Sequence, residues 1–267
     1  MRAELGARAL ADHRRSFVVW VVGIGLYVTL IVMVWPSIRD SAQLTKAFAD
    51  YPDTLKELFG GEASFDFATA AGYLNAELFS LMYPLFLVVF AIAFASTTLA
   101  GEEERGVLDL VLAYPVRRTR VVTEKAAAMG CSVVGLALAT GSIMYVAGLV
   151  VDLDAAVGNL VAAVVGSALV ALVIGAVTLF VGAWRGTRAA AIGAGAAVFG
   201  AGYLLQVLSA LVDAFDPVRW LSPMYLANGT TPVREGWPWG EYAVLLAVAL
   251  VLVLAARWVF GRRDIGR

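Results

Sequence analysis

The chain has 267 residues, 61% of them hydrophobic and 15% charged, with a mean hydropathy of +0.81. Soluble domains carry about 25% charged residues, so this composition excludes a soluble fold, and a net charge of −1 argues against a nucleic-acid partner. Cys131 is the single cysteine, which excludes an intramolecular disulfide.

The apolar residues are gathered into runs. Residues 2–15 form an amphipathic piece, with Glu4, Arg8, Asp12 and Arg15 at helical spacing on one face. Such a helix is predicted to lie in the membrane surface. A bilayer core of about 30 Å takes roughly 20 apolar residues per helix, and 17–35 is the first run of that length. No small-residue cleavage site follows it (Trp35-Pro36-Ser37-Ile38-Arg39), so it reads as a retained span rather than a signal peptide. Residues 37–72 are polar and acidic, with Asp40, Asp50, Asp53, Glu57, Glu62 and Asp66. One short helix is expected there, where Leu55, Leu58 and Phe59 follow Pro52-Asp53 and Gly60-Gly61 ends the run.

A second span is predicted over 73–99, then a charged interruption over 101–125, then a third span over 126–150. Asp152 and Asp154 mark a tight turn before a fourth span at 157–184. A short basic turn with Arg185 and Arg188 leads to a fifth at 189–211. The stretch 213–239 holds Pro217, Pro223, Pro232 and Pro238 together with Trp220, Trp237 and Trp239. Its apolar piece is too short to cross, so it reads as interfacial or re-entrant structure with an aromatic belt. The sixth span is 241–260, followed by an arginine-rich tail. The predicted fold is an all-α integral membrane protein, one domain over 1–267 with six spans, an N-terminal interfacial helix and short helices on the outer surface.

Lysine and arginine set the orientation. The N-terminus, the 101–125 loop, the 185–188 turn and the tail carry fifteen of the twenty basic residues, while Arg39, Lys46, Lys56, Arg219 and Arg234 are the five on the other side. Both termini and the 101–125 loop are therefore predicted to be cytoplasmic.

Catalytic signatures are missing. A phosphate loop ends in Gly-Lys, and none of Lys46, Lys56 and Lys125 follows a glycine. His13 is the only histidine, so neither a zinc-type ligand cluster nor a serine-histidine pair is expected. The chain reads as non-catalytic, with no metal site. Asn75 and Glu77 lie at the start of the second span. Glu77 reads as an interfacial carboxylate near the outer edge, with a place on a translocation path, beside Asn75 and Gln206, as the alternative. The small residues Gly182, Gly186, Gly193, Gly195, Ala197, Gly200, Ala201 and Gly202 read as close helix packing.

The loop GEEERGVLDLVLAYPVRRTRVVTEK (101–125) is the stretch on which the rest turns. Glu102, Glu103, Glu104 and Arg105 precede Gly106; Val107, Leu108, Leu110, Val111 and Leu112 follow with Asp109 among them. Tyr114-Pro115 breaks the helical pattern, and Arg117, Arg118 and Arg120 come after it. A small amphipathic helix between two spans suits a docking element.

This acidic cluster, glycine, short apolar helix, Ala-x-Pro and arginines resemble the first cytoplasmic loop of ABC-2 type permeases, the membrane subunits of one class of ABC transporters. The six spans and the Phe-x-Arg-Arg-Asp-Ile ending (260–265) extend the resemblance over the whole chain. It implies an exporter subunit in a prokaryotic plasma membrane and a separate ATP-binding partner, on which ATP and magnesium are expected. It also implies a second permease chain, identical or paralogous, with the path between the two. Glu104–Leu112 is then the coupling helix, and Glu103, Glu104, Arg105, Gly106, Leu108, Asp109, Leu112, Pro115 and Arg118 are the residues expected to couple it to the ATPase. The alternative is a non-ABC integral membrane protein, such as a secondary transporter or a structural assembly subunit. A phosphate-loop ATPase encoded beside this chain would separate the two.

Overall fold

A computed structural model describes residues 4–39, 41, 69–107 and 117–263, with side chains of the first helix described from residue 14 onward. Ten α-helices are seen among them, interrupted by a π segment and a 3-10 segment, and no strand. They are α1 (Glu4–Arg39), α2 (Ala70–Leu74), the π segment (Asn75–Phe79), α3 (Met82–Thr98) and α4 (Ala100–Glu104). After the loop come α5 (Arg118–Val150), α6 (Val157–Arg185), α7 (Arg188–Leu211), the 3-10 segment (Asp213–Leu221), α8 (Pro223–Asn228), α9 (Pro232–Glu235) and α10 (Trp239–Arg262). Six helical stretches are long and apolar enough to cross a membrane: Arg14–Arg39, Ala70–Thr98, Arg118–Val150, Val157–Arg185, Arg188–Leu211 and Trp239–Arg262. Each of the six predicted spans has one of these as its counterpart.

The N-terminal helix differs from the expectation. Instead of a separate surface helix followed by a span, α1 is one helix from Glu4 through Arg39. The joining residues, Leu10-Ala11-Asp12-His13-Arg14-Arg15, contain no proline or glycine. Continuing the helix also satisfies the amide groups that a fresh start at Phe17 would leave without partners. The short helix expected at 53–59 lies outside the described residues.

The second span differs too. It breaks at Ser80–Leu81, where Leu81 leaves the helical region (φ −150°, ψ −52°). Pro84 explains the break. Inside a continuous helix its ring would collide with the carbonyl of Ser80, four residues back, whereas restarting at Met82 puts it in a first turn, where its missing amide costs nothing. The preceding π segment, in which the Ser80 amide reaches back five residues to the Asn75 carbonyl (2.8 Å), absorbs the mismatch.

The axis of the bundle is α6. In its most apolar stretch 72% of residues are buried, against 22% for the corresponding stretches of α1, α7 and α10. Small residues make this possible. Gly166 faces Tyr242 of α10, Gly175 faces Met129 of α5 and Ala91 of α3, and Gly182 faces Ala100 of α4 and Ala191 of α7. On α7, Gly195 packs on Thr178 and Ile92 and Gly202 on Pro223, while Gly193 and Gly200 meet nothing within 4 Å. Packing therefore accounts for only some of the small residues noted in the sequence.

Tyrosine hydroxyls cross-link the helices at half-buried or buried points. Tyr242 donates to the Ala162 carbonyl (2.7 Å), Tyr83 to the Ala137 carbonyl (3.2 Å) and Tyr73 to the Ile31 carbonyl (2.8 Å). Phe17 lies against Gly135 and, eight residues further along each helix, Gly25 meets Ile143. The two helices advance together, so α1 and α5 run parallel and begin at the same end. The turn after α5 is tight, as expected, with Asp152 in the left-handed region (φ 49°) that aspartate tolerates.

Candidate functional site

At the end where α1 and α5 begin, the three consecutive glutamates project from α4 in three directions, about 100° apart on a helix of 3.6 residues per turn. Each takes a different partner. Glu102 accepts from the Nζ of Lys125, which also donates to the Thr98 carbonyl at the end of α3. Lys125 is only 3% exposed, and Glu102 neutralises the charge that this burial would otherwise leave costly. Glu103 pairs with Arg263, just past α10, through Nη2–Oε1 (2.5 Å) and Nη1–Oε2 (3.0 Å). This two-pronged pairing is the strong form of the arginine–carboxylate contact. The same Nη1 donates to the Ala183 carbonyl near the end of α6 (3.2 Å). Glu104 Oε1 accepts from the Arg188 amide at the start of α7 (2.7 Å), a position where the helix dipole favours a negative charge.

The loop contributes from its other side as well. Arg118 Nη1 donates to the Arg263 carbonyl, and Arg105 Nε donates to the Gly101 carbonyl (2.8 Å), closing the end of α4. The result is an ionic clasp joining the ends of α3, α5, α6, α7 and α10 around the five residues of α4. Gly186 makes room for it. Its φ of +69° ends α6 in the left-handed region, and a Cβ there would fall 2.6 and 2.7 Å from the Glu103 carboxylate oxygens and onto the Arg263 guanidinium.

The expected coupling residues divide accordingly. Glu103 and Arg118 are half-buried within the clasp, Glu104 reaches the Arg188 amide from an exposed position, and Arg105, Gly106 and Val107 are exposed at its rim. The expected Glu104–Leu112 helix is corrected at its start: α4 ends at Glu104 and Gly106 turns left-handed (φ 68°), so helix resumes only at Val107. Leu108, Asp109, Leu112 and Pro115 lie outside the described residues. Sequence reasoning passed over Glu102, Lys125, Gly186 and Arg263 as members of one cluster. The signal for Lys125 was a charged residue at the mouth of an apolar run.

The opposite end holds the broken second span. Asn75 and Glu77 sit in the π segment, Asn75 buried and Glu77 half-buried, with Tyr27 and Tyr73 in electrostatic range of the carboxylate. Glu77 is 21 residues from Thr98, about 30 Å at 1.5 Å per residue. That distance matches a hydrocarbon layer of about 30 Å measured from the clasp. Gln206 lies on α7, which packs on α6, the 3-10 segment, α3 and α8, and the π segment packs on α3, α1 and α6. The short helices lock the break. Asn228 Nδ2 donates to the Phe79 carbonyl (2.5 Å), and Ser222 Oγ, which caps α8, donates to the Gly202 carbonyl (2.7 Å). Among the described residues no three His, Cys, Asp or Glu side chains gather as metal ligands.

Six apolar helices knotted by ion pairs at one end and by a helix break with short helices at the other define a multi-pass membrane protein. The family described as multidrug efflux system permease Rv1217c, C-terminal domain, matches residues 6–261. The chain belongs to that family and is a transporter permease. Among curated proteins none matches it.

Proposed function

We propose that the chain is the membrane subunit of an ATP-driven ABC exporter. It pairs with a second permease chain and takes its energy from a separate ATP-binding subunit, which alone binds ATP and magnesium. The loop 101–125 is the docking site, both termini are cytoplasmic, and the membrane is a prokaryotic plasma membrane. Drugs are the substrate class suggested by the family's description. The observation that supports this reading best is the clasp. The loop leaves and re-enters the bundle at Arg105 and Arg118, and both ends are tied to residues that hold five spans together. A push on such a loop is shared by the bundle rather than lost in a slack connection.

The test is co-purification of the chain with the ATPase encoded beside it, followed by transport into vesicles with and without ATP. ATP-dependent transport by a complex with two permease chains is expected; full transport by a complex with one chain overturns the pairing. A carboxylate in a broken span, Glu77, also suits an ion-coupled carrier. Transport by the isolated chain, driven by a proton or sodium gradient without ATP, would select that second reading.

A further inference from the structure

The 3-10 segment Asp213–Leu221 follows α7 after a turn at Val212 (φ −139°, ψ 110°). A 3-10 helix has three residues per turn, so side chains three apart stack in straight rows. The sequence VDAFDPVRWL carries that period. Val212, Phe215, Val218 and Leu221 form one row, Asp213, Asp216 and Arg219 a second, and Ala214, Pro217 and Trp220 a third. None of the nine residues of the segment is buried, and the apolar row is 43, 38, 39 and 75% exposed in chain order. At about 2 Å rise per residue this is a ridge roughly 18 Å long.

Two observations say what covers it. The first is continuity. Ala201, Leu204 and Leu208 form an exposed stripe along α7 at helical spacing, ending at Val212. The stripe passes from the exposed side of the span onto the apolar row with no polar residue between. The second is charge. Arg219 donates to Asp216 Oδ1 (2.5 Å), and its guanidinium lies 5.5 Å from the Trp220 ring centre and 5.0 Å from that of Tyr225 on α8. Arg219 thus neutralises Asp216, Asp213 is left as the row's net charge, and the pair is banked by the Trp220 and Tyr225 rings, residue types that settle at headgroup level. Height agrees: the 24 residues of α7 rise about 36 Å, enough to carry Leu211 through the hydrocarbon layer.

We propose that the 3-10 segment is a lipid-binding element of the leaflet opposite the clasp. Its Val212–Phe215–Val218–Leu221 row rests among acyl chains, and its Asp213–Asp216–Arg219 row sits with the headgroups. This holds whatever drives transport. The test is a scan in a Cys131→Ser background, replacing each residue from Val212 to Leu221 in turn by cysteine and attaching a nitroxide. With the full chain in phosphatidylcholine vesicles, spin relaxation reads collisions with molecular oxygen, which concentrates in acyl chains, and with a water-soluble nickel chelate. The expected result is oxygen preference at 212, 215, 218 and 221 and nickel preference at 213 and 216, a period of three. Nickel preference at all positions places the ridge in water and overturns the proposal. Weak collision with both reagents along the apolar row means that a second copy or another protein covers it, and overturns it equally. No residue of the segment is buried, so loss of one labelled variant leaves the period readable.

Discussion

Gly186→Ala tests whether the Glu103–Arg263 pair is seated as described. Two costs arise separately. Holding a residue with a Cβ at φ +69° costs about 1–2 kcal/mol. The new methyl also meets the Glu103 carboxylate oxygens at 2.6 and 2.7 Å, so the pair must move off its seat. Hydrogen bonds to charged groups contribute about 1.5–3 kcal/mol each in net terms. The side chains here are 24 and 22% exposed, and water reaches them, so the low end of that range applies to the pair as a whole. The single substitution should therefore cost about 3 kcal/mol. In a Glu103→Ala background the pair is already gone, Arg263 is left with its single longer bond to the Ala183 carbonyl and can shift, and Gly186→Ala should cost mainly the backbone part, about 1–2 kcal/mol. The double-mutant cycle should then show a coupling of about 1.5 kcal/mol, read from equilibrium unfolding in mixed detergent and SDS. Independent sites add within about 0.3–0.5 kcal/mol. A coupling inside that scatter refutes the seating of the pair over Gly186.

In intact cells, cysteines replacing Ser41 and Ala155 should react with an impermeant thiol reagent and one replacing Thr119 should not; labelling at Thr119 would reverse the proposed orientation. Asn228→Leu strips the Phe79 carbonyl of its partner, which should cost about 1–3 kcal/mol in the same unfolding assay and raise amide exchange around the break at 80–81; unchanged exchange there would show that Asn228 does not hold the break closed. Leu108→Asp places a charge on the apolar face of the loop and should weaken ATPase docking about tenfold or more, an energy of at least about 1.4 kcal/mol. Membrane abundance should stay equal, and normal ATPase pull-down with wild-type transport would reduce the loop to a linker.

Hydropathy made the spans legible because lipid imposes a length and a composition on every crossing helix. The break in the second span was hidden, although its cause, Pro84, stood in the sequence. Residues 75–83 read as ordinary apolar helix, and only the register of Pro84 against Ser80 shows where the helix must restart. The clasp was half legible. Three adjacent glutamates announced a charged site, but a helix points them three ways. Their partners lie 23, 160 and 84 residues away in sequence, at distances that no local pattern encodes. Arg263 counted as a positive charge in the tail and as part of the Phe-x-Arg-Arg-Asp-Ile ending, with no partner assigned to it. Conversely, the junction at residues 10–15 holds no proline or glycine, a legible signal for one continuous helix that the expectation of a separate surface helix did not use.

The central position of α6 has a consequence for how the protein is made. The first three spans leave the ribosome before the helix that all but α1 pack against. With α5 ending at Val150 and α6 at Arg185, 35 further residues must be synthesised. At about 5–20 residues per second that takes about 2–7 s. During this interval Gly175 is not yet there to receive Met129 and Ala91, while the polar links between α3 and α5, Tyr83 to Ala137 and Thr140 and Lys125 to the Thr98 carbonyl, can already form. The nascent protein thus has a timed stage at which half a bundle waits in the membrane, open to insertion factors and to proteases. A chain stalled before Val157 should be cleared quickly, and one stalled after Arg185 should persist.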